Sequence, residues 1–122
     1  TIFNRYQKEF KNLTNYSFVD SIIQIPADRN INYNSFNFIF ANNEYQKEAI
    51  EKLKERKITA TFHYIPLHLS KMGQKLGYNK GDLPKTEELA ATIMRIPLYT
   101  GMMQKEIDYV VVNVKEVFKE LS

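Results

Sequence analysis

Apolar residues recur at three- and four-residue steps at both ends of the chain. The stripe near the start consists of Phe3, Tyr6, Phe10 and Leu13. It predicts an amphipathic helix that is already under way at Thr1. A longer stripe from Ile107 to Leu121 predicts the last helix of the chain. Because a native start rarely opens with an uncapped helix, we expect residues upstream of Thr1 to belong to the same polypeptide.

Between these helices the apolar period changes to two, which is typical of strands. The alternating residues are Phe36, Phe38 and Phe40. They predict a strand with all three rings on one face. Asn43 then predicts a helix cap to which Gln46 reaches back, ahead of an apolar stripe that ends at Leu53. A second alternation over residues 58–64 predicts another strand.

The rest of the chain holds shorter elements. Residues 22–25 predict an extended segment that Pro26 ends, and residues 66–83 predict loop around a short helical piece. Thr86 predicts the cap of a helix that continues through Met94 and stops before Pro97. Together these elements predict an α+β domain, a small sheet with helices packed on one face.

Composition narrows the functional classes. The chain has 122 residues, 43% of them hydrophobic and 25% charged, as expected for one soluble domain. It lacks cysteine, which excludes thiolate chemistry and favours a cytoplasmic location. No apolar run approaches the roughly 20 residues of a membrane helix. The net charge of +3 comes from basic residues interleaved with acids, and the phenylalanines of the first strand fit a core, so no nucleic-acid partner is expected.

One short string contains both histidines of the chain. It reads His63, Tyr64, Ile65, Pro66, Leu67 and His68. At the end of a predicted strand and beside a proline, these side chains suit hydrogen bonding to a polar ligand. The alternative is that His63 faces solvent or a neighbouring strand, while Tyr64 and Leu67 are core residues. Two histidines without a cysteine or carboxylate at ligand spacing do not form a zinc site, and Ser70 lacks the turn of a nucleophile.

Arg95 is the remaining candidate. It precedes an Ile-Pro-Leu-Tyr stretch, and its guanidinium suits a bidentate contact with a carboxylate or phosphate. The alternative is that Arg95 lies near a helix end and bonds only to the last carbonyls of that helix.

Several of these motifs together resemble one enzyme family. The runs TATFHYIPLHLSKMGQKLGY and LPKTEELAATIMRIPLYTGM are similar to the small-domain segment of fold type I sugar aminotransferases, especially dTDP-4-amino-4,6-dideoxygalactose transaminases. The resemblance covers essentially the whole chain. It implies that residues 1–122 form one carboxy-terminal small domain with a mainly antiparallel sheet, and that residues 1–14 lead into it from a large domain.

The resemblance also implies an activity and its partners. The family transfers an amino group, typically from glutamate, to a keto-sugar nucleotide through pyridoxal phosphate, as a homodimer, in surface-antigen synthesis such as that of lipopolysaccharide. By position, His63, Tyr64, His68 and Arg95 would contact the nucleotide sugar. The family's Ser-x-His-x-x-Lys motif is absent here, so we expect the 122-residue chain alone to bind no cofactor and to be inactive. The rival hypothesis is a stand-alone α+β module that binds a small ligand or a protein.

The sequence departs from the family pattern where the last helix begins. Met103 stands where relatives commonly have serine or threonine as a helix cap. Loss of a cap costs about 1 kcal/mol. We therefore expect the substitution Met103→Ser to stabilise the domain.

Overall fold

A three-stranded antiparallel sheet with helices forms the domain. The structure, a computed structural model, describes residues 1–29, 35–62 and 65–122. The elements in chain order are α1 (Ile2–Phe10), a 3-10 helix (Lys11–Asn15), β1 (Val19–Ile22), β2 (Phe36–Phe40), α2 (Asn43–Glu55), a 3-10 turn (Leu67–Leu69), α3 (Lys71–Lys75), α4 (Pro84–Thr92), β3 (Ile93–Ile96) and α5 (Gln104–Leu121). The α+β prediction is confirmed.

The sheet has the order β1-β2-β3, with β2 in the centre. Phe40 pairs with Val19 on one side, and Phe36 pairs with Ile96 on the other. The register of β1 shifts between Val19 and Ser21, as in a β-bulge. Each strand of the sheet therefore pairs with a neighbour that runs in the opposite direction.

The core lies on one face of this sheet. The rings of Phe36, Phe38 and Phe40 are at most 1% exposed, as the period-two pattern predicts. Helix α1 covers them with Phe10, whose ring centroid is 5.4 Å from that of Phe38. Helix α5 covers them with Phe118, at 5.0 Å from Phe38. The apolar stripes of the first and last helices thus meet on the same strand.

Thr1 begins the first helix. Its hydroxyl accepts a hydrogen bond from the backbone N–H of Asn4 at 3.2 Å, so Thr1 is the N-cap of α1. Ile2 is therefore the first helical residue of this chain, and the residues expected upstream of Thr1 stay a prediction.

Two side chains of α2 bind the carboxy-terminal end of helix α4. Gln46 is buried, and its amide donates to the carbonyls of Ala90 at 3.0 Å and Ile93 at 2.6 Å. Asn43 donates to the carbonyl of Ala91 at 2.7 Å. Since these carbonyls would otherwise be unsatisfied at a helix end, α4 stops at Thr92. The predicted helix through Met94 is wrong, because Ile93–Ile96 pairs with β2 as β3.

Two predicted caps also shift. Asn42, and not Asn43, caps α2 by accepting the N–H of Tyr45 at 3.0 Å. Helix α4 starts at Pro84, so Thr86 lies inside it. Proline suits a first helical position because the missing N–H would have no helical partner there.

The second predicted strand is reduced to a single bridge. Thr61 pairs with Arg95, and two backbone hydrogen bonds of 2.7 and 3.0 Å join them. His63 and Tyr64, the end of that predicted strand, lie outside the described residues. The strand predicted over residues 58–64 is therefore wrong for residues 58–62, apart from the bridge at Thr61.

Candidate functional site

The turn that carries His68 is locked against α3. Ser70 caps α3 by accepting the N–H of Gly73 at 3.1 Å and donates its hydroxyl proton to the carbonyl of Leu67 at 2.6 Å. A Cβ atom at Gly73 would lie 2.4 Å from the carbonyl oxygen of Leu67 and 2.6 Å from that of His68. Only glycine permits this approach of two backbones, so the backbone at His68 is fixed.

His68 is buried beside a carboxylate. Its side chain is only 3% exposed, and Nε2 lies 3.2 Å from Oε2 of Glu87. That contact is an ion pair when the imidazole is protonated. Neither ring nitrogen forms a directed hydrogen bond among the described residues. In this structure His68 therefore contacts Glu87, and its contact with a substrate stays a prediction.

Glu87 connects His68 to the preceding glycine loop. Both carboxylate oxygens accept the backbone N–H of Gly81, at 2.9 and 3.0 Å. This hydrogen bond is the main reason that the pKa of Glu87 is lowered, and the neighbouring imidazole of His68 lowers that pKa further while burial opposes both. Glu87 thus stays ionised and ties the loop at Gly81 to the turn at His68.

A groove borders this assembly. It measures about 650 Å³ and runs between α2, the turn and α4. Phe62, Ile65 and Leu69 line its apolar part, while Lys47 and Glu87 contribute charges. Phe62 and Ile65 are 49% and 63% exposed. The turn therefore presents apolar surface although His68 itself is buried. Leu67 is 86% exposed, so the alternative that Leu67 is a core residue is wrong.

Arg95 lies in the middle of β3, on the face of the sheet that points away from the core. Its neighbours Met94 and Ile96 are buried, and side chains alternate along a strand. The half-buried residues of this second face, here called the open face, are Ser21, Asn37, Ile39, Ile93 and Arg95. The alternative that Arg95 lies near a helix end is wrong.

The guanidinium of Arg95 has no ion pair or hydrogen bond within residues 1–29, 35–62 and 65–122. Together with Thr59, Thr61 and Tyr99 it lines a cavity of about 370 Å³. A half-buried, unpaired guanidinium in a cavity lined by three hydroxyl-bearing side chains suits a carboxylate or a phosphate.

The predicted site residues do not form one cluster. His68 contacts Glu87 at the groove, while Arg95 lines a separate cavity. Glu87 and Gly73 were missed, since neither position has a sequence signal of its own. Glu87 lies in the first turn of α4, where a carboxylate is normally only a helix-stabilising residue.

The described part of the chain contains neither a metal-binding cluster nor a membrane-spanning helix. No group of three or more histidine, cysteine or acidic side chains there has the spacing to hold a metal ion. None of the helices in those same ranges is long and apolar enough to cross a bilayer.

The lysines do not fit the role of a cofactor-binding amine. A lysine that forms a Schiff base needs a shielded site in which its amine becomes neutral. Every lysine of this chain is exposed except Lys52, which is half-buried and pairs with Glu120 at 3.4 Å. No step of pyridoxal chemistry is therefore assigned to a lysine of this chain.

Comparison with known proteins identifies the family. The model of the DegT/DnrJ/EryC1/StrS aminotransferase family matches residues 1–115. The chain therefore belongs to this family, and the resemblance inferred from the HYIPLH and RIPLY motifs is confirmed at that level.

Individual relatives align with part of this chain. The spore coat polysaccharide biosynthesis protein SpsC of Bacillus subtilis is 32% identical over 76 residues, which are 61% of this chain and 20% of SpsC. The protein MJ1066 of Methanocaldococcus jannaschii is 38% identical over 72 residues, which are 58% of this chain and 19% of MJ1066.

The fold is that of a known structure. The putative sugar aminotransferase Spr1654 of Streptococcus pneumoniae, solved in its PMP form, aligns with a TM-score of 0.82 and 21% identity. The alignment covers 99% of this chain and 30% of Spr1654. The chain thus spans about a third or less of the length of these relatives.

Proposed function

We propose that this chain is the carboxy-terminal small domain of a pyridoxal-phosphate-dependent aminotransferase that acts on a sugar nucleotide. The family match over residues 1–115 carries this proposal. The polysaccharide role in the name of SpsC and the PMP form of Spr1654 support a sugar substrate and a pyridoxal cofactor. When bound, that cofactor supplies the amino-transfer chemistry through a lysine that lies outside this chain.

The role of this domain is to close one wall of the substrate cleft. Only one face of its sheet carries the core, and the open face presents Arg95 with no partner among the described residues. We assign the open face to the cleft, where Arg95 binds an anionic group of the substrate. His63 and Tyr64 are assigned to the same substrate by resemblance. His68 acts through Glu87, by holding the loop at Gly81 in place.

The finer features of the activity are proposed by resemblance to the family. We infer that glutamate donates the amino group to a 4-keto-6-deoxy sugar nucleotide in the synthesis of lipopolysaccharide or another surface antigen. The complete enzyme is a cytoplasmic homodimer, in which a large domain of the same polypeptide contacts this domain. The rival, a stand-alone binding module, requires no such large domain.

The first test is the coding sequence that surrounds this chain. The complete reading frame should encode a large domain of roughly 250 residues with a Ser-x-His-x-x-Lys motif, on the usual size of a two-domain enzyme. The purified product should then bind pyridoxal phosphate and convert a keto-sugar nucleotide into its amine with glutamate as donor. A reading frame without a lysine-bearing domain would contradict the proposal and favour the binding module.

The second test separates substrate binding from cofactor binding. In the complete enzyme, Arg95→Ala should raise the KM for the sugar nucleotide at least about tenfold, because a charge-assisted contact contributes roughly 1.5–3 kcal/mol. The aldimine absorbance should remain unchanged. His68→Ala should also weaken use of the sugar nucleotide more than cofactor binding. Arg29→Ala is the matched control, since Arg29 is exposed. Equal loss of cofactor and substrate binding in these variants would contradict the substrate-binding role of Arg95 and the positioning role of His68.

A further inference from the structure

A larger cavity continues from the cavity of Arg95. It measures about 690 Å³ and lies between the end of α2 and the start of α5. The two cavities share Thr59, Pro97 and Tyr99, so they form one surface. We call this surface the joined cavity. The side chains that matter for its chemistry are Lys57, Arg95, Tyr99, Lys105, Glu106 and Tyr109. Its larger part has a volume within the range of small-molecule sites.

Positive charge prevails in the joined cavity. Lys57, Arg95 and Lys105 have no ion pair within residues 1–29, 35–62 and 65–122. Among the described residues, Glu106 is the only acidic one that lines either part. Its carboxylate accepts the N–H of Met103 at 2.8 Å and the hydroxyl of Tyr99 at 3.4 Å. Because Glu106 is already bonded, the three cations are left to bind an anion.

Two aromatic rings line the same surface. Tyr99 and Tyr109 are 52% and 49% exposed. The hydroxyl of Tyr109 donates to the carbonyl of Arg56 at 2.7 Å, and that of Tyr99 contacts Glu106. Both rings are therefore held at their polar ends. Ring faces held in this way offer platforms on which a planar aromatic ligand can stack.

Lys57 occupies an unusual backbone position. Its φ of 62° is the only positive φ of a non-glycine residue in the described part of the chain. It follows the C-cap of α2, where Ile58 N–H bonds to the carbonyl of Leu53 at 2.9 Å and Lys57 N–H bonds to that of Lys54 at 2.9 Å. This is the Schellman arrangement, in which glycine is the usual residue. The conformation fixes the backbone from which the Lys57 side chain reaches the cavity.

We propose that the joined cavity binds a nucleoside diphosphate, with its base on the rings of Tyr99 and Tyr109 and its phosphates bound by Lys57, Lys105 and Arg95. An anion alone does not require the tyrosines, and a neutral aromatic ring does not require the cations. A phosphorylated aromatic ligand uses both. The proposal rests on the proposed function, in which a sugar nucleotide is the substrate, and it locates the nucleotide portion of that substrate.

Equilibrium binding to the complete enzyme tests the site. The probes are dTDP, thymidine, inorganic pyrophosphate and pyridoxal phosphate, each followed by titration calorimetry. We expect dTDP to bind more tightly than thymidine or pyrophosphate, since each of these has only half of the recognised groups. Pyrophosphate that binds as tightly as dTDP would reduce the site to an anion site and overturn the proposal. Competition of pyridoxal phosphate for the same residues would assign the joined cavity to the cofactor and overturn it as well.

Matched variants localise the binding. Lys105→Ala and Tyr99→Ala should each raise the Kd of dTDP about tenfold, on the usual energies of a charge-assisted contact and of base stacking. Tyr99→Phe keeps the ring and should stay within about twofold. Lys54→Ala is the control, because Lys54 is exposed on α2 and does not line the cavity. Circular dichroism confirms that each variant is folded.

The outcomes separate this inference from the proposed function. An active aminotransferase whose dTDP affinity is unchanged by both alanine variants would keep the function and reject the site. A protein without aminotransferase activity whose dTDP affinity falls in both variants would keep the site and reject the function.

Discussion

The left-handed backbone at Lys57 gives the sharpest stability prediction. A side chain with a Cβ atom in this region costs roughly 1–2 kcal/mol, whereas glycine adopts the conformation freely. Part of that gain is offset because glycine also gives the unfolded chain more freedom. We therefore expect Lys57→Gly to raise the free energy of unfolding by about 1 kcal/mol.

The expected shift is large enough to measure. For a domain of this size, about 1 kcal/mol corresponds to a change of roughly 4 °C in Tm. Urea denaturation followed by circular dichroism should show a higher midpoint with an unchanged m-value. The predicted gain concerns stability alone, because the same substitution removes a cation from the joined cavity and should weaken dTDP binding.

Two control variants isolate the backbone effect. Lys57→Ala removes the charge but keeps the Cβ atom, so its stability should stay close to that of the parent chain. Lys54→Gly introduces glycine within α2, where a helical backbone is required, and should lower stability by up to about 1 kcal/mol. The reasoning fails if Lys57→Gly is no more stable than Lys57→Ala.

Three further predictions concern the cap of α5 at Met103, the close approach at Gly73 and the carboxylate of Glu87. Met103→Ser should raise the thermal midpoint by a few degrees, because the carboxylate of Glu106 already accepts the N–H of Met103 and the serine hydroxyl would add a side-chain acceptor for the N–H of Glu106, which now donates to the backbone carbonyl of Met103 at 3.0 Å. An unchanged or lower midpoint in a thermal melt would show that the cap is not limiting. Gly73→Ala should lower the free energy of unfolding by about 2 kcal/mol in urea denaturation, since the added Cβ would lie 2.4 Å from a backbone oxygen. Gly77→Ala is the control, because Gly77 has a positive φ but no atom near the added Cβ. If Gly73→Ala lost no more stability than Gly77→Ala, the backbone of the turn would have moved to make room for the Cβ. Because the pKa of Glu87 is lowered in the folded chain, its carboxylate stabilises the fold at pH values above its ordinary pKa of 4.5, and this contribution is lost as the pH falls through the folded pKa. Glu87→Gln should therefore reduce the dependence of the free energy of unfolding on pH in the acid range. A pH profile identical to that of the parent chain would contradict the role of the Gly81 contact.

The sequence predicts the elements whose own apolar periodicity is strong. The stripes of α1 and α5 and the alternation of β2 were located correctly, because each has one apolar face that a core must cover. The apolar residues of all three meet in one core cluster. Strong periodicity was thus sufficient to locate an element whose apolar face is buried in the core.

Elements that depend on distant side chains were missed. Ile93 and Met94 fit a helical stripe as well as a strand. The amides of Asn43 and Gln46 and the pairing with β2, all far away in the chain, decide that α4 ends before them. The contact of His68 with Glu87 likewise joins two loops that share no local pattern. Such contacts are set by tertiary packing, which overrides local preference.

Arg95 links the two roles that we assign to this domain. It lies on the open face, which we assign to the substrate cleft, and it also lines the joined cavity, which we assign to the nucleotide. Lys105 lines the joined cavity only. If one substrate spans both surfaces, Arg95→Ala should raise the KM for the sugar nucleotide and the Kd for dTDP together. Lys105→Ala should then raise the KM of the sugar nucleotide by about the same factor as it raises the Kd of dTDP. A sugar nucleotide that depends on Arg95 but not on Lys105 would mean that the two surfaces serve different ligands.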